Sequence, residues 1–407
     1  MRKIIFTLAA TFFVLSFISC MPAKVSSKEA EKQTAPQVET TPAVPFSDIT
    51  VLELTKAMGA GWNLGNTFDA TGSFGMDSET SWGQPETTKA MIDGLVASGI
   101  KTIRIPVSWH NHLTETTNHT ISAQWMARVK TVVDWTIEDG LYVIIDSHHD
   151  NYLAAGKMPA GAGYYPTSQN LEESKRFLKN IWTQIGTTFN NDYDEHLIFE
   201  TMNEPRPAGT KCEWWFDKDE LCVDAMKCVM ELNQTALDAI RATGGNNKKR
   251  FVMCPSLQAS QNAATSSLFK MPVDLEEGRL ILSIHAYTPY TFAMENPGTS
   301  TFSQAHKDEL NTLFSILKNR FVAKGYGVVI GEYGATNKEN LSDRVAWFDY
   351  YVTMATAAGI PCILWDNGVW WITRDEVGVP DYSEGYGYYN RLTQTWYFPE
   401  ILDVIVK

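Results

Sequence analysis

Basic residues are scarce in this chain. Its 407 residues include 34 Lys and Arg against 47 Asp and Glu, which gives a formal net charge of −13. A nucleic-acid-binding protein needs basic surface to displace counterions from phosphates, so the composition argues against a nucleic-acid partner. It also disfavours direct adhesion to anionic lipid headgroups. Hydrophobic residues make up 44% of the chain, which excludes wholesale disorder.

The N-terminal apolar run is too short for a comfortable transmembrane helix, which needs about 20 residues. This run, residues 4–18, follows Arg2 and Lys3 and ends just before Ser19-Cys20. A short positive region, a short apolar region and a small residue before a cysteine are typical of a bacterial lipoprotein signal. We therefore predict an export signal over residues 1–20 with a lipid on Cys20. Ordinary secretion is the alternative.

The chain lacks internal repeats and has only one linker-like segment. Residues 21–46 are rich in Pro, Ser, Thr, Lys and Glu and show no apolar periodicity, which predicts a flexible tether. No comparable segment follows. We therefore predict one catalytic domain over residues 47–407, without an appended binding module.

Cysteines are few, and none forms a C-x-x-C pair, which disfavours a zinc ribbon. Apart from Cys20 there are five, so at least one thiol stays unpaired. Export permits disulfides. A bond from Cys212 to Cys222 or to Cys228 would close a loop. Buried, unpaired thiols are the alternative.

Apolar runs that resemble strands alternate with helical patterns from residue 50 onward. Several runs are continuously aliphatic or β-branched, as expected of parallel strands buried on both faces. Amphipathic segments with i, i+3, i+4, i+7 spacing separate them. Eight such units predict a single (β/α)8 barrel with enlarged βα loops; a doubly wound sheet is the alternative, but no G-x-G-x-x-G turn follows the first run. The predicted strands are residues 61–66, 102–106, 142–146, 197–202, 251–254, 280–285, 327–331 and 362–365.

Polar or aromatic side chains follow seven of these strands. In a parallel barrel the C-terminal strand ends meet at one face, where active sites lie. Two of the residues are glutamates, Glu204 after the fourth strand and Glu332 at the seventh. Two carboxyls without a nucleotide or cofactor motif favour glycoside hydrolysis, in which one donates a proton and the other attacks or directs water.

Seven motifs in unbroken order resemble glycoside hydrolase family 5, and the resemblance covers about residues 50–405. They are Gly61-Trp-Asn-Leu-Gly-Asn66, Arg104-Ile-Pro106, His148-His149, Asn203-Glu-Pro205, His285-Ala-Tyr287, Gly331-Glu332-Tyr and Trp365. Residues 61–66, 79–83 (ETSWG) and 203–206 (NEPR) are together similar to the subfamily 4 endo-β-glucanases. The resemblance implies a retaining endo-β-1,4-glucanase that acts on cellulose-type, mixed-linkage and some xyloglucan chains. A xyloglucan-specific enzyme and a β-mannanase are the alternatives.

The resemblance also implies roles for the two glutamates. Glu204 would be the acid/base and Glu332 the nucleophile. Arg104 would keep Glu332 ionised, because a nearby cation lowers the pKa of a carboxyl, and Tyr287 would donate a hydrogen bond to it. Glu204 must begin protonated, so we expect its pKa to be raised.

The remaining residues of the motifs are predicted to contact sugar. The resemblance implies that Asn203 binds the sugar 2-hydroxyl and that Trp365 forms the floor of the subsite at the cleaved bond. His148, His149 and His285 would bind hydroxyls or support the carboxyls, and Asn66 and Asp69 would reach distal sugars. Stacking platforms are expected among the loop tryptophans, with Trp82 favoured beside Trp365; the others are Trp109, Trp214, Trp215, Trp370 and Trp371.

Two other functions fit the same polar residues less well. A metal-dependent hydrolase is disfavoured, because no His-x-His follows the first strand and no Lys ends the fourth. A non-catalytic glycan-binding lipoprotein is disfavoured by the presence of both Glu204 and Glu332. We expect no metal and no cofactor, a β-glucan partner, and membrane contact only through Cys20. The protein would be a monomer, anchored to the cell envelope or secreted.

Overall fold

The computed structural model of the chain describes residues 43–151 and 162–407. They form a closed barrel of eight parallel strands, in which each strand pairs with the next and the last pairs with the first. The predicted (β/α)8 barrel is therefore confirmed. Cys20, the predicted signal and most of the predicted tether lie outside the described residues.

The barrel strands match the predicted runs in number and order. They are β1 Ala60–Asn63, β2 Thr102–Ile105, β3 Tyr142–Asp146, β4 Leu197–Glu200, β5 Val252–Pro255, β6 Leu280–His285, β7 Gly327–Tyr333 and β8 Cys362–Leu364. The first strand ends earlier than predicted, because the chain turns at Asn66, whose φ is 55°. The seventh continues beyond residue 331, because Tyr333 still pairs with Leu364. Glu332 therefore lies inside a strand, where backbone pairing fixes its position.

Helices surround the barrel. They are α1 Val51–Met58, α2 Lys89–Ala97, α3 Ala123–Glu138, α4 Leu171–Thr188, α5 Glu220–Ala242, α6 Gln261–Ala264, α7 Tyr290–Ala293, α8 Gln304–Arg320, α9 Leu341–Ala358 and α10 Pro399–Ile405. The predicted apolar stripes are their inner faces: Trp125 and Val129 of α3 and Leu313 of α8 are buried. Among the described residues, no helix has the length and apolar character needed to cross a membrane.

Helix α1 closes the N-terminal end of the barrel. It begins with a capping box, in which Thr50 and Glu53 satisfy each other's backbone N–H groups. Its apolar face, Leu54 and Met58, joins one buried cluster with inward-facing strand residues such as Ile144. The opposite end of the barrel is therefore the open one, where the C-terminal strand ends and the long loops meet.

One of the two predicted cysteine pairings is present. Cys212, in the loop after β4, and Cys222, in the first turn of α5, form a disulfide with a sequence separation of 10. Cys228, Cys254 and Cys362 are buried, unpaired thiols.

Candidate active site

Arg104 of β2 lies at the centre of the open end and is fully buried. A guanidinium has five N–H donors, and here each of the five has an acceptor. The acceptors are Glu200 Oε2 at 2.6 Å from Nε, Asn63 Oδ1 at 3.0 Å and Glu332 Oε1 at 2.9 Å from Nη1, and Asp146 Oδ2 and Asn203 Oδ1, each at 2.7 Å from Nη2. Burial opposes the charge, but the surrounding carboxylates outweigh it and raise the pKa of Arg104 above its ordinary value. One cation thus holds five side chains from four other strands or their following loops.

Glu200 is a functional residue that the sequence reasoning missed. It lies within β4, is fully buried, and accepts from Arg104 on one oxygen and from the Ser283 hydroxyl on the other. The sequence feature that could have identified it is a single acidic residue inside an otherwise apolar strand. Such a charge is retained in a core only when it is paired.

Glu332 is held by donors on both carboxylate oxygens. Arg104 Nη1 lies 2.9 Å from Oε1, and the Tyr287 hydroxyl donates to Oε2 at 2.9 Å. His285 Nδ1 lies 3.5 Å from Oε2. The expected donors to Glu332 are therefore both present, and the carboxylate has a fixed orientation.

Glu204 follows β4 and faces Glu332. His285 Nδ1 lies 2.9 Å from Glu204 Oε1. One ligand atom each from Glu204, His285 and Glu332 lie within 4.8 Å of one another. Carboxyls about 5–5.5 Å apart suit a retaining glycosidase, whereas an inverting enzyme needs roughly 6.5–9.5 Å for its water. The geometry therefore favours double displacement.

The pKa shifts of the two carboxyls run opposite to those expected. Burial favours the neutral form of Glu204, but the hydrogen bond and charge of His285 outweigh it and lower the pKa of Glu204 to about 2. Burial also raises the pKa of Glu332, despite the opposing charges of His285 and Arg104. Burial lowers the pKa of His285, yet Glu332 and Glu204 together raise it above the ordinary value. The two carboxylates therefore favour a positive charge on His285, which lies between them.

A row of rings leads from the carboxyl pair toward β8 and β1. His148 lies parallel to Trp365 at 5.9 Å between ring centroids, and His149 lies edge-on to His148 at 4.5 Å. Trp82 follows at 5.5 Å from His149. Burial holds the pKa values of both histidines well below their usual range, so both are neutral hydrogen-bonding groups. His148 Nδ1 lies 2.7 Å from Asp146, which leaves Nε2 to meet a ligand hydroxyl.

Asp69 acts on the turn after β1 rather than on a ligand. It is fully buried, and it accepts from the backbone N–H groups of Asn66 and Thr67 at 3.1 and 2.7 Å. Burial raises the pKa of Asp69 to about 7. The expectation that its carboxylate contacts sugar is therefore wrong, whereas Asn66 is only partly buried.

Of the seven predicted platform tryptophans, one is buried, four are exposed, and Trp82 and Trp365 are partly buried. Trp109 is fully buried and donates from Nε1 to the Asp146 carbonyl at 2.8 Å, so its prediction as a platform is wrong. The other four are between 44% and 63% exposed: Trp214, Trp215, Trp370 and Trp371.

Two groups in the open end of the barrel have the composition of metal ligands. They are Asp69, His148 and His149, and Glu204, His285 and Glu332. In the second group, Arg104 already places a positive charge 2.9 Å from Glu332, which repels a further cation. In the first group, His148 Nδ1 is taken by Asp146. Hydrogen bonding to a neutral ligand suits these side chains better than metal coordination.

The chain matches a known family over most of its length. The family model described as Cellulase (glycosyl hydrolase family 5) matches residues 65–369. Endoglucanase B of Ruminococcus albus is 37% identical over 387 residues, which are 95% of this chain and 87% of that protein. Endoglucanase A of Clostridium longisporum is 41% identical over 87% of this chain, but the chain spans only 65% of it. The chain spans 40% of the cellulase/esterase CelE of Acetivibrio thermocellus, at 39% identity over 88% of this chain.

The chain is also similar to solved structures of glycoside hydrolase family 5 enzymes. A mutant of the glycoside hydrolase 5 lichenase from Caldicellulosiruptor sp. F32, in complex with cellotetraose, is 39% identical with a TM-score of 0.80, covering 91% of this chain and 98% of that one. A broad-specificity endoglucanase from Ruminococcus champanellensis with bound cellotriose is 39% identical with a TM-score of 0.80, covering 89% and 100%.

The central guanidinium makes a prediction about stability. Arg104→Lys keeps the charge, but an ammonium has three donors in place of five. The lost hydrogen bonds leave buried acceptors unsatisfied, so we expect the free energy of unfolding to fall by roughly 2–4 kcal/mol. Urea unfolding measures this loss. Arg176→Lys, at an exposed pair with Glu173, is the control and should change stability by less than about 0.5 kcal/mol. Equal stability of the two variants would contradict the central role of Arg104.

Proposed function

Because the chain belongs to glycosyl hydrolase family 5, the cellulase family, we propose that it is a retaining endo-β-1,4-glucanase. It would hydrolyse internal linkages of cellulose-type and mixed-linkage β-glucan chains. The observation that carries the proposal is the close pair of Glu204 and Glu332, with His285 beside both. The endoglucanase names of the relatives and the cello-oligosaccharides in two related structures support the substrate class.

In the first step Glu332 attacks the anomeric carbon. A bond forms between its carboxylate oxygen and that carbon, and the glycosidic bond breaks. Glu204 gives a proton to the departing oxygen, so the leaving chain ends in a hydroxyl. Arg104 and Tyr287, each 2.9 Å from Glu332, fix its carboxylate and stabilise the negative charge before the attack.

In the second step water replaces the leaving chain. Glu204, now ionised, takes a proton from the water while the water oxygen bonds to the anomeric carbon. The bond from that carbon to Glu332 breaks, and Glu332 leaves as a carboxylate. Two inversions restore the original configuration. The same group thus serves first as acid and then as base.

His285 supplies the proton that starts the cycle. Its Nδ1 lies 2.9 Å from Glu204 Oε1, so a proton can pass along that hydrogen bond. Bringing an uncharged sugar into the site removes water from the ion pair, which favours the neutral pair of histidine and carboxylic acid. Glu204 is therefore an ionised group that becomes an acid when substrate covers it.

Asn203 and Trp365 complete the subsite at the cleaved bond. The Asn203 Oδ1 atom accepts from Arg104 at 2.7 Å, which orients the amide so that Nδ2 is its free donor for the sugar 2-hydroxyl. Hydrogen bonds to that hydroxyl strengthen in the oxocarbenium-like transition state. Trp365 lies parallel to His148 and presents a flat ring to the sugar.

Replacing each glutamate separates the two roles. We expect Glu332→Ala to lose at least about a thousandfold in turnover on barley β-glucan, because no nucleophile remains. Glu204→Ala should lose about 10²–10⁴-fold on β-glucan. On 2,4-dinitrophenyl β-cellobioside, whose leaving group needs no proton, its first step should keep most of its rate. Pre-steady-state release of dinitrophenol measures that step.

Glu277→Ala, at an exposed glutamate before β6, is the control and should keep wild-type activity. Folding of all three variants is checked by thermal unfolding. A Glu332→Ala enzyme with a large share of wild-type turnover would refute the nucleophile, and an α-anomer as first product by NMR would refute retention.

A substrate panel tests the glucan preference. We expect carboxymethylcellulose and barley β-glucan to be cut at internal bonds, with a fast fall in viscosity and little glucose at first. Xyloglucan should be cut more slowly and mannan least. Preference for xyloglucan or mannan would support the corresponding alternative enzymes on the same barrel. Product lengths by chromatography decide the outcome.

We also propose that the protein is exported, lipidated at Cys20 and monomeric. The side chains around Glu204 and Glu332 all come from one chain, which is what a monomeric enzyme requires. The chain enters the barrel at its closed end, where Ser47 donates to Glu195 from its backbone at 2.9 Å and Phe46 lies 6.2 Å from Phe251. Phe46 and Ser47 therefore lie at the closed end of the barrel, away from the carboxyl pair.

Lipidation is tested in a bacterial host fed labelled palmitate. The full-length chain should incorporate the label and enter the detergent phase on phase separation, whereas Cys20→Ser should do neither and keep its activity on β-glucan. Label in the Cys20→Ser variant would contradict the assignment. Absence of label from the wild type would favour ordinary secretion.

A further inference from the structure

A short hairpin near the C-terminus carries a buried arginine. The hairpin pairs Tyr389–Asn390 with Thr395–Trp396. It is held against the outer helix α2, because the Tyr389 hydroxyl donates to the Met91 carbonyl at 3.2 Å. Arg391 lies in the turn of the hairpin and is only 4% exposed. Its guanidinium reaches the turn after β1 and the end of β8.

The Arg391 guanidinium joins two segments that border the mouth of the barrel, its open end. Nη2 donates to the Gly65 carbonyl at 2.9 Å and to the Asp366 carbonyl at 2.8 Å. Nη1 donates to Thr67 Oγ1 at 2.7 Å. The guanidinium carbon lies 5.2 Å from the centroid of the Trp62 ring, a cation–π contact. One nitrogen thus fixes the separation of two backbone carbonyls, one from each segment.

The two carbonyls adjoin residues that are expected to contact sugar. Gly65 precedes Asn66, and Asp366 follows Trp365. The segments also touch directly, since the Gly65 N–H donates to the Asp366 carbonyl at 3.2 Å. A Cβ at Gly65 would lie 2.8 Å from that carbonyl oxygen and 3.0 Å from Cη2 of Trp365. The turn after β1 therefore packs against the edge of the Trp365 ring, and glycine permits the close approach.

The side chain of Asp366 holds the end of β8 in the same way. It is fully buried, and its Oδ2 accepts from Trp62 Nε1 and from the Tyr389 N–H, each at 2.9 Å. Its Oδ1 accepts from the Gly368 N–H at 2.8 Å. One carboxylate thus joins β1, the hairpin and the chain that follows Trp365.

We propose that Arg391 is a positioning residue of the reaction, and that the two carbonyls it bridges fix the Trp365 ring against the sugar at the cleaved bond. In this role Arg391 touches no substrate and acts through Trp365. The proposal depends on the proposed glucanase activity. Loss of a purely structural brace would only lower the folded fraction, so turnover per active site separates the two roles.

Displacement of the Trp365 ring affects the transition state more than the bound chain. A long glucan is bound over many units, so a shift beneath one unit changes its KM little. The reacting sugar must distort as its anomeric carbon gains positive charge, and a misplaced ring beneath it slows that step. Loss of Arg391 should therefore lower kcat and leave KM nearly unchanged.

The test measures turnover per active site. 2,4-Dinitrophenyl 2-deoxy-2-fluoro-β-cellobioside bonds through its anomeric carbon to Glu332 and releases one dinitrophenol, which counts the active sites. We expect Arg391→Met, which removes every donor, to lower kcat per site on barley β-glucan by about 10–100-fold, with KM changed by less than about twofold. Arg391→Lys keeps the charge and some donors and should lose less.

A double-mutant cycle shows whether Arg391 acts through Trp365. In a Trp365→Ala background the ring is absent, so Arg391→Met should lower kcat per site by less than about a further twofold. Full additivity of the two losses would overturn the proposal. An unchanged kcat per site in Arg391→Met alone would overturn it as well.

Arg250→Met is the matched control. Arg250 is also fully buried and lies 5.1 Å from the centroid of an aromatic ring, Phe199. It also donates to backbone carbonyls, among them that of Leu197 at 2.9 Å, but at the closed end of the barrel. Its loss should lower the free energy of unfolding and leave kcat per active site unchanged. Equal losses of kcat per site in the two arginine variants would contradict the proposal.

Thermal unfolding shows whether Arg391→Met is folded; if it is not, Arg391→Lys and Gly65→Ala decide. Gly65→Ala displaces the Trp365 ring without removing a charge and should also lower kcat per site. Gly186→Ala, whose Cβ would lie 3.0 Å from Thr243 on the outside of the barrel, should not. Wild-type enzyme that neither hydrolyses β-glucan nor reacts with the fluorinated cellobioside would instead overturn the proposed function.

Discussion

The active end of the barrel depends on one buried guanidinium. Arg104 connects β1, β3, β4 and β7 through the side chains of Asn63, Asp146, Glu200 and Glu332. A single cation with three carboxylates leaves the cluster with excess negative charge. Burial of such a cluster is tolerated only when every donor and acceptor is satisfied, and the planar fork of arginine can satisfy five acceptors at once. The position of Glu332 follows from this arrangement.

The excess charge decides where the proton of the site resides. His285 is raised in pKa because it faces both Glu332 and Glu204. It compensates the negative charge that Arg104 leaves uncompensated. Glu204 and Glu332 are therefore not two independent groups with separately tuned pKa values. They belong to one set of charges with His285 and Arg104, so a change in the surroundings of one group changes the pKa values of the others.

Much of the fold and of the active site could be predicted from the sequence. Barrel strands that are buried on both faces form continuous apolar runs, and the polar residues at their C-terminal ends meet at one face. Glu204, Glu332 and Arg104 were found in that way. Glu200 was missed, because a single acidic residue inside an apolar strand does not indicate a function until its partner, Arg104, is known. Burial of Trp109 and Asp69 could not be predicted, because residues in long loops have no periodicity that shows which way they face. The pKa of Glu204 depends on His285, 81 residues away, and no local pattern reports such a contact.

The two sides of the mouth are built differently, and this difference has a consequence. Trp365 and His148 follow directly from barrel strands, so their positions are fixed by the packing that stabilises the fold. Trp214 lies on a loop whose brace is a disulfide and one arginine. We expect a substitution in the loop to lower the stability of the barrel little, whereas a substitution beside the strands disturbs the core. The positions of Trp365 and His148 are therefore tied to the stability of the fold, whereas the loop that carries Trp214 is under weaker structural constraint.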